Sequence, residues 1–177
     1  DLVPFTGATA RSMLVHFRLN AGTNNKCLVF HGTNATNQLF SISFYIGELI
    51  LHWNGGTATI LTSAASVAGT DYVICVTYDG TTARVYNNGA LINSATVTLN
   101  TASSVLQVGG SGEFFTTSLP ASIYMCALTD KVLSLPEIAA YARNPWAVFA
   151  PRRTGRGRYV VASSGVSGTV TYAFGPF

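Results

Sequence analysis

The acidic residues of this chain are its first candidates for acid–base catalysis or metal binding, and their spacing suits neither. Glycoside hydrolysis needs two carboxylates facing each other across a cleft, and Ca²⁺ binds about six to eight oxygens that usually include several carboxylates. The seven acids lie at least seven positions apart: Asp1, Glu48, Asp71, Asp79, Glu113, Asp130 and Glu137. The sequence therefore predicts no catalytic residue, no metal ligand and no cofactor. It leaves open only a calcium site built from carbonyl oxygens.

The histidines and cysteines also lack the spacing of a catalytic or metal site. The sequence contains no C-x-x-C pair, no Cys/His zinc pattern and no G-x-S-x-G nucleophile motif. Three histidines are scattered over different predicted strands, and three cysteines lie inside apolar runs: His16, His31, His52, Cys27, Cys75 and Cys126. We expect the cysteines to be buried free thiols, and reduced cysteines indicate assembly in a cytoplasm.

One group of aromatic and polar residues could bind a glycan. Binding sites for small polar ligands combine aromatic surface with a few well-placed polar groups. Tyr45, His52, Trp53 and Asn54 supply this combination within ten positions. The alternative interpretation is that Trp53 belongs to the core or to an interface.

The C-terminal part of the chain concentrates aromatic and basic residues. Prolines bound the segment NPWAVFAP at 144–151, which contains Trp146 and Phe149. Residues 1–150 carry six basic and seven acidic side chains, so the net charge of +3 comes from the arginines beyond them: Arg152, Arg153, Arg156 and Arg158. We expect the two aromatics and four arginines to bind an acidic protein neighbour. A solvated tail is the alternative, and nucleic-acid binding is disfavoured because no face of stacking aromatics is visible.

Composition indicates which elements must position these residues. Of the 177 residues, 48% are hydrophobic and only 10% are charged, whereas ordinary domains have about a quarter charged. The polar surface must come from Thr, Ser, Asn and Gly, which suits strands and turns. A surface with so few charges favours a place inside an assembly. No segment approaches the roughly 18 apolar residues of a membrane helix, and Asp1 as first residue suggests a processing cut or a longer product.

The segment 71–94 is the strongest fold signal. Residues 73–78 are apolar on both faces, which predicts a strand inside a sheet. Asp79-Gly80 and Asn88-Gly89 are turn pairs that accept positive φ. Further short strands are predicted at 12–19, 27–31, 39–46, 48–53, 57–62, 104–108 and 122–129. Many short strands at such spacing favour an antiparallel sandwich.

One helix is predicted, from Leu135 to Arg143. Ser134 and Glu137 form the spacing of a capping box, and Pro136 is tolerated in the first turn. The helix must end before Pro145, because proline disfavours helical backbone at the preceding residue.

Three segments in this order resemble laminin-G-like domains of the concanavalin-A-like lectin and glucanase sandwiches. They are VTYDGTTARVYNNGALI at 76–92, VLQVGG at 105–110 and LSLPEI at 133–138. The resemblance implies an all-β, antiparallel jelly-roll sandwich with one short C-terminal helix and an extended C-terminal tail. We expect a sandwich at 1–145 and an anchoring tail at 146–177 that packs on the sandwich or on a neighbouring subunit.

The segment at 144–151 resembles an N-P-W-x-x-F-x-P pattern of phage and prophage structural proteins. Together with the missing catalytic set, this resemblance suggests a non-enzymatic virion protein, a decoration or cement protein on the outer surface of a phage head. Its partners would be the major capsid protein or other virion subunits, and it would form a homo-oligomer. It would not bind a membrane, and it would be assembled in the host cytoplasm. The alternative is a glycan-binding tail-fibre, receptor-binding or lectin-type module.

Overall fold

Two antiparallel β-sheets pack face to face and enclose the core. In this computed structural model the described residues are 5–22, 25–45, 47–53, 62–110, 119–149, 159–162 and 170–171. We call the face of each sheet that meets the other sheet its inner face, and the opposite one its outer face. The antiparallel sandwich predicted from the sequence is confirmed.

The described residues form twelve strands. They are β1 Arg11–Leu19, β2 Lys26–Gly32, β3 Leu39–Tyr45, β4 Glu48–His52, β5 Thr62–Ala65, β6 Asp71–Tyr78, β7 Thr82–Asn87, β8 Ala90–Thr96, β9 Gln107–Val108, β10 Ala121–Thr129, β11 Tyr159–Ala162 and β12 Val170–Thr171. One sheet has the order β12-β11-β10-β1-β6-β7-β8, and the other has the order β5-β4-β3-β2-β9. We refer to them as the seven-stranded and the five-stranded sheet.

The predicted hairpin segment forms three consecutive strands of the seven-stranded sheet, β6, β7 and β8. Asn88 and Gly89 have φ values of 47° and 87°, the left-handed pair that a tight hairpin turn with the right twist needs. At the preceding turn, Gly80 has a φ of 105°. Asp79 Oδ1 accepts the Thr82 N–H at 2.8 Å. Both turns therefore use the residues that the sequence indicated.

The core lies between the inner faces of the two sheets. Phe17 of β1 stacks on Tyr72 with ring centroids 5.4 Å apart and meets Phe44 of the five-stranded sheet edge-on at 5.9 Å. Every residue of β6 from 72 to 78 is buried, which confirms the prediction of a strand that is covered on both faces. Leu14 of β1 points to the outer face instead and contributes to a second apolar cluster.

A helical layer covers part of the outer face of the seven-stranded sheet. Helix α1, Leu135–Arg143, has the predicted bounds, and its buried residues Ile138 and Tyr141 pack in the outer cluster. The Ser134 N–H and hydroxyl both donate to Glu137 Oε2 at 2.9 Å, so the glutamate satisfies the first amide of the helix start. In the part of the chain that is described, no helix has the length and apolar character needed to cross a membrane.

Helix α1 also approaches the β7–β8 turn closely. A Cβ atom at Gly89 would lie 3.1 Å from Ala142 Cβ and 3.5 Å from Ala139 Cα. Glycine is therefore required at this position both for its positive φ and for the space that the helix leaves.

Arg11 is fully buried at one end of the core and organises the residues before β1. Its guanidinium donates to the carbonyls of Phe5 at 2.7 Å, Gly7 at 2.6 Å, Thr9 at 2.7 Å and Thr6 at 3.3 Å. The Arg11 Cζ atom lies 5.6 Å from the centre of the Phe40 ring. Burial lowers the Arg11 pKa to about 10, so the side chain stays protonated at neutral pH.

Two predicted strands differ from the structure. Of the strand predicted at 57–62, only Thr62 lies within the described residues, where it begins β5. Of the strand predicted at 104–108, only Gln107–Val108 is a strand. The Ser104 hydroxyl accepts the N–H of Gly32, the last residue of β2, at 2.6 Å. A side chain of the 104–106 segment therefore takes the place that a backbone carbonyl would have in a strand.

Candidate functional site

The residues predicted to contact a glycan do not form one surface. In the β3–β4 hairpin Tyr45 pairs with Glu48 at the turn, whereas His52 pairs with Ser41. Tyr45 and Ser41 are four positions apart on one strand, or about 14 Å. Tyr45 is 44% exposed and His52 is 2% exposed, so a ligand at Tyr45 does not reach His52.

Trp53 is partly buried and packs against the main core cluster. Its placement agrees with the alternative interpretation, in which this tryptophan supports the core. Asn54 lies outside the described residues. Burial lowers the pKa of His52 to about 4, so its imidazole is neutral at physiological pH. Glycan contacts at these positions stay a prediction.

The two aromatic residues predicted for partner binding do come together. The chain continues after α1 into a short 3₁₀ helix, Pro145–Phe149. The Trp146 and Phe149 rings stack with centroids 5.9 Å apart and an interplanar angle of 26°. Their spacing of three residues places them on one side of a 3₁₀ helix, which has three residues per turn. Trp146 is 53% exposed and Phe149 44% exposed.

A buried residue fixes this aromatic pair to the sandwich. Val148, between the two rings in sequence, is buried in the outer cluster with Ile138 and Tyr141 of α1. Asn144 ends α1, and its N–H donates to the Ala140 carbonyl at 3.0 Å. The pair therefore stands on a packed support. The division into a sandwich at 1–145 and a tail at 146–177 stays a prediction, and the four arginines Arg152, Arg153, Arg156 and Arg158 lie outside the described residues.

A second exposed aromatic, which the sequence did not indicate, lies on the outer face of the same sheet. The apolar run IYMCAL at 123–128 predicts a fully buried stretch of strand, but Tyr124 is 38% exposed. The cause is a β-bulge: His16 pairs with Met125 and Phe17 with Ile123, so Tyr124 is the extra residue. Its ring lies 4.8 Å from the His16 ring at 54°.

Polar side chains surround this pair of rings. In the adjacent row of the sheet, Arg18 lies between Asp71 of β6 and Ser122 of β10. The Arg18 and Asp71 side chains form an exposed ion pair of 3.0 Å, and Asn20 Nδ2 donates to Ser122 Oγ at 3.1 Å. We call Tyr124, His16 and this polar row the outer-face patch.

The charge state of the outer-face patch follows from burial. Burial lowers the pKa of His16, and the nearby Asp71 carboxylate opposes this only in part. The imidazole is therefore neutral at physiological pH, and the Arg18 and Asp71 charges balance each other. The patch therefore has hydrogen-bond donors and acceptors beside an aromatic ring, and it has no net charge.

The described residues offer no reactive thiol. Cys27, Cys75 and Cys126 are free and buried, as the sequence predicted. Burial raises the pKa of Cys27 to about 11 and that of Cys126 to about 12, and it raises the pKa of Cys75 further. A thiol is a nucleophile only as thiolate, so these three side chains are packing groups.

Two of the acids stabilise local elements of the fold. Asp79 accepts from the β6–β7 turn and pairs with Arg84 at 2.7 Å, and Glu137 caps α1. Within the described ranges, no three His, Cys, Asp or Glu side chains group as metal ligands would.

Comparison with known proteins supports the family that the sequence suggested. The family model Laminin_G_3, described as "Concanavalin A-like lectin/glucanases superfamily", matches residues 3–139. Comparison with curated proteins finds no match.

Several solved structures share the fold at low sequence identity. The heptameric SAP-like pentraxin from Limulus polyphemus superposes with a TM-score of 0.59 at 14% identity, over 77% of this chain and 71% of that chain. For the CBM40 domain of the Ruminococcus gnavus IT-sialidase the TM-score is 0.57 at 16% identity, over 77% and 84%.

The binding domain of botulinum neurotoxin DC, solved in complex with rat synaptotagmin II, gives a TM-score of 0.59 at 13% identity. The likeness covers 77% of this chain and 36% of that one, so this chain spans about a third of the toxin fragment. Identities this low show a shared fold. The family match over most of the chain, with the two antiparallel sheets, establishes that this protein belongs to the laminin-G-like family of concanavalin-A-like lectin/glucanase sandwiches.

Proposed function

We propose that this protein is a non-catalytic docking domain of a phage virion, a decoration or cement protein that binds the outer surface of the head. The observation that carries the proposal is the exposed, stacked Trp146–Phe149 pair. The pair stands on a support formed by α1 and the outer face of the seven-stranded sheet.

Such a pair can contribute a large part of a docking energy. Aromatic side chains present about 150–250 Å² each, and roughly half of the surface of each of these two residues is exposed. At about 25 cal/mol per Å², a partner that covers it gains about 2–3 kcal/mol per ring. Because Val148 holds the 3₁₀ helix in place, little conformational freedom is lost on binding.

The virion setting rests on sequence features. The chain has 10% charged residues, which suits a subunit that stays within an assembly. The segment at 144–151 is similar to the N-P-W-x-x-F-x-P pattern of phage structural proteins. The arginines at 152, 153, 156 and 158 follow directly and would pair with acidic groups of a capsid subunit. Assembly would take place in the host cytoplasm.

Binding of the protein to undecorated heads tests this proposal. We expect the double substitution Trp146→Ala and Phe149→Ala to weaken binding at least 100-fold, because about 4–6 kcal/mol of burial is lost. Tyr45→Ala is the matched control, since Tyr45 and Phe149 are both 44% exposed, and it should bind as the wild type does. Full occupancy by the double variant, with an unchanged melting temperature, would show that docking uses another surface.

A second candidate function, glycan binding, is favoured by the outer-face patch. The Tyr124 ring lies beside the neutral imidazole of His16 and the Arg18–Asp71 pair, a combination that suits a hydroxyl-rich ligand. A CBM40 domain of the same fold has been solved bound to α2,3-sialyllactose. In this role the protein would be a receptor-binding or lectin-type module.

A glycan array separates the two candidate functions. Binding lost on Tyr124→Ala and kept by Trp53→Ala would place a glycan on the outer-face patch. The opposite result would place it at the residues predicted from the sequence. If neither the wild type nor the variants bind any glycan on the array, the second candidate is rejected.

A further inference from the structure

Strand β8, Ala90–Thr96, forms one edge of the seven-stranded sheet. It pairs with β7 on one side, and no described strand pairs with its other side. Its residues are exposed along almost the whole length, including Leu91 at 53% and Ile92 at 38%. An edge strand presents a row of backbone donors and acceptors that another strand can use.

Strand β8 itself has few of the sequence features that protect an edge strand. Native edges commonly carry lysine or proline, or are very short, whereas β8 has seven residues and none is charged or proline. In fact no Asp, Glu, Lys, Arg or His occurs between residues 85 and 112. A single β-bulge at Ile92 leaves the segment from Asn93 to Thr96 in regular pairing with β7.

One backbone N–H on the edge of β8 donates to a neighbouring side chain and not to another strand. The Ser94 N–H donates to Oδ1 of the preceding residue, Asn93, at 2.8 Å in an exposed position. Asn side chains make such local bonds in place of ladder bonds. A carbonyl from a second strand could replace this side chain at Ser94.

We propose that β8 pairs antiparallel with β8 of a second copy of this chain, centred on Ser94. The lack of charge on β8 favours a second copy as the partner. A strand with charged side chains would have to remove water from them beside an uncharged edge, whereas a second copy has the same uncharged edge. In this register Ile92 lies opposite Thr96 of the other copy, and Asn93 lies opposite Ala95. Ser94 and Thr96, which lie beyond the bulge, share a face, and pairing about a two-fold axis places the same residues of both copies on the same side of the sheet.

The symmetry of this pairing has a consequence for docking. A two-fold axis perpendicular to the sheet keeps the outer faces of both copies on the same side. The two Trp146–Phe149 pairs then point to the same side of one continuous sheet, so two weak contacts to a particle can act together. The pairing itself does not depend on the proposed function, because the oligomeric state in solution tests it alone.

Sedimentation equilibrium of the full chain over a range of concentrations tests the pairing and its register. We expect the wild type to form a dimer. Ile92→Lys with Thr96→Lys places like charges opposite each other twice and also removes an apolar contact. This variant should dimerise about tenfold more weakly.

A charge reversal gives the matched control. Ile92→Lys with Thr96→Glu places opposite charges across the same two pairs, so we expect dimerisation within about threefold of the wild type. Val67→Lys, at a loop residue that is 61% exposed, should have no effect. A monomeric wild type, or equal dimerisation of the two double variants, overturns the proposal.

Hydrogen exchange of the wild type gives a second test, which does not depend on whether the variants fold. Amides of residues 90–96 should become protected as concentration rises, whereas those of β6 should not change. Absence of this concentration dependence would also overturn the proposal. Binding of β8 to an uncharged strand of a different protein would appear as protection only when that protein is added, and it too would count against pairing with a second copy.

Discussion

The buried Arg11 gives the most direct test of how the tertiary structure holds the start of the chain. We expect Arg11→Met to destabilise the fold by about 3 kcal/mol. Three of the four bonds from its guanidinium to carbonyls are 2.6–2.7 Å long, and each bond to a charged group contributes about 1.5–3 kcal/mol. The several kcal/mol needed to desolvate the guanidinium offset much of that sum.

Urea unfolding measures the effect. With an m-value of about 2 kcal/mol per molar urea, a loss of about 3 kcal/mol lowers the midpoint by about 1.5 M. Arg18→Met is the matched control on the same strand, because Arg18 makes a single exposed ion pair with Asp71. Exposed pairs contribute at most about 1 kcal/mol, so its midpoint should fall by less than about 0.5 M.

The outcome that refutes this reasoning is equally clear. If Arg11→Met lowers the urea midpoint no more than Arg18→Met does, the carbonyls of residues 5–9 do not depend on the guanidinium. Arg11→Lys refines the test, since lysine keeps the charge but has only three donors on one nitrogen. We expect its midpoint to lie between those of the wild type and Arg11→Met.

Two further predictions concern other positions. Gly89→Ala should destabilise the protein by about 1–2 kcal/mol more than Gly69→Ala, because both glycines have positive φ but only Gly89 lies against Ala142. In thermal unfolding, adding Ala142→Gly to Gly89→Ala should recover this difference. Equal destabilisation by Gly89→Ala and Gly69→Ala would show that the contact with Ala142 is unimportant. For His52, the pKa is about 4 in the folded state and about 6.5 when unfolded. Because the folded state has the lower pKa, protonation of His52 favours the unfolded state. The free energy of unfolding is therefore unaffected by His52 above pH 6.5, and it falls by about 3 kcal/mol as the pH is lowered to 4. Unfolding measured at several pH values should show that His52→Gln reduces the dependence of the unfolding free energy on pH between about 4 and 6.5. An unchanged dependence would mean that other groups cause it.

The placement of the candidate binding surfaces could be predicted only where the signal is local. The sequence indicated Trp146 and Phe149 because prolines bound the apolar segment that contains them, whereas the stacking of the two rings follows from the 3₁₀ helix that the structure shows. Tyr124 was missed, because nothing in the run IYMCAL marks the bulge. The bulge arises from the register between β1 and β10, which are about a hundred residues apart.

The sequence by itself determined the strands around 71–94, their turns and the helix Leu135–Arg143. These depend on alternation, on residues that accept positive φ and on capping, all of which act over a few positions. Only the tertiary structure decided that Arg11 and His52 are buried and that Tyr124 is exposed. Burial depends on which distant strand or loop covers a side chain, and a polar residue can enter the core when carbonyls from elsewhere receive its donors.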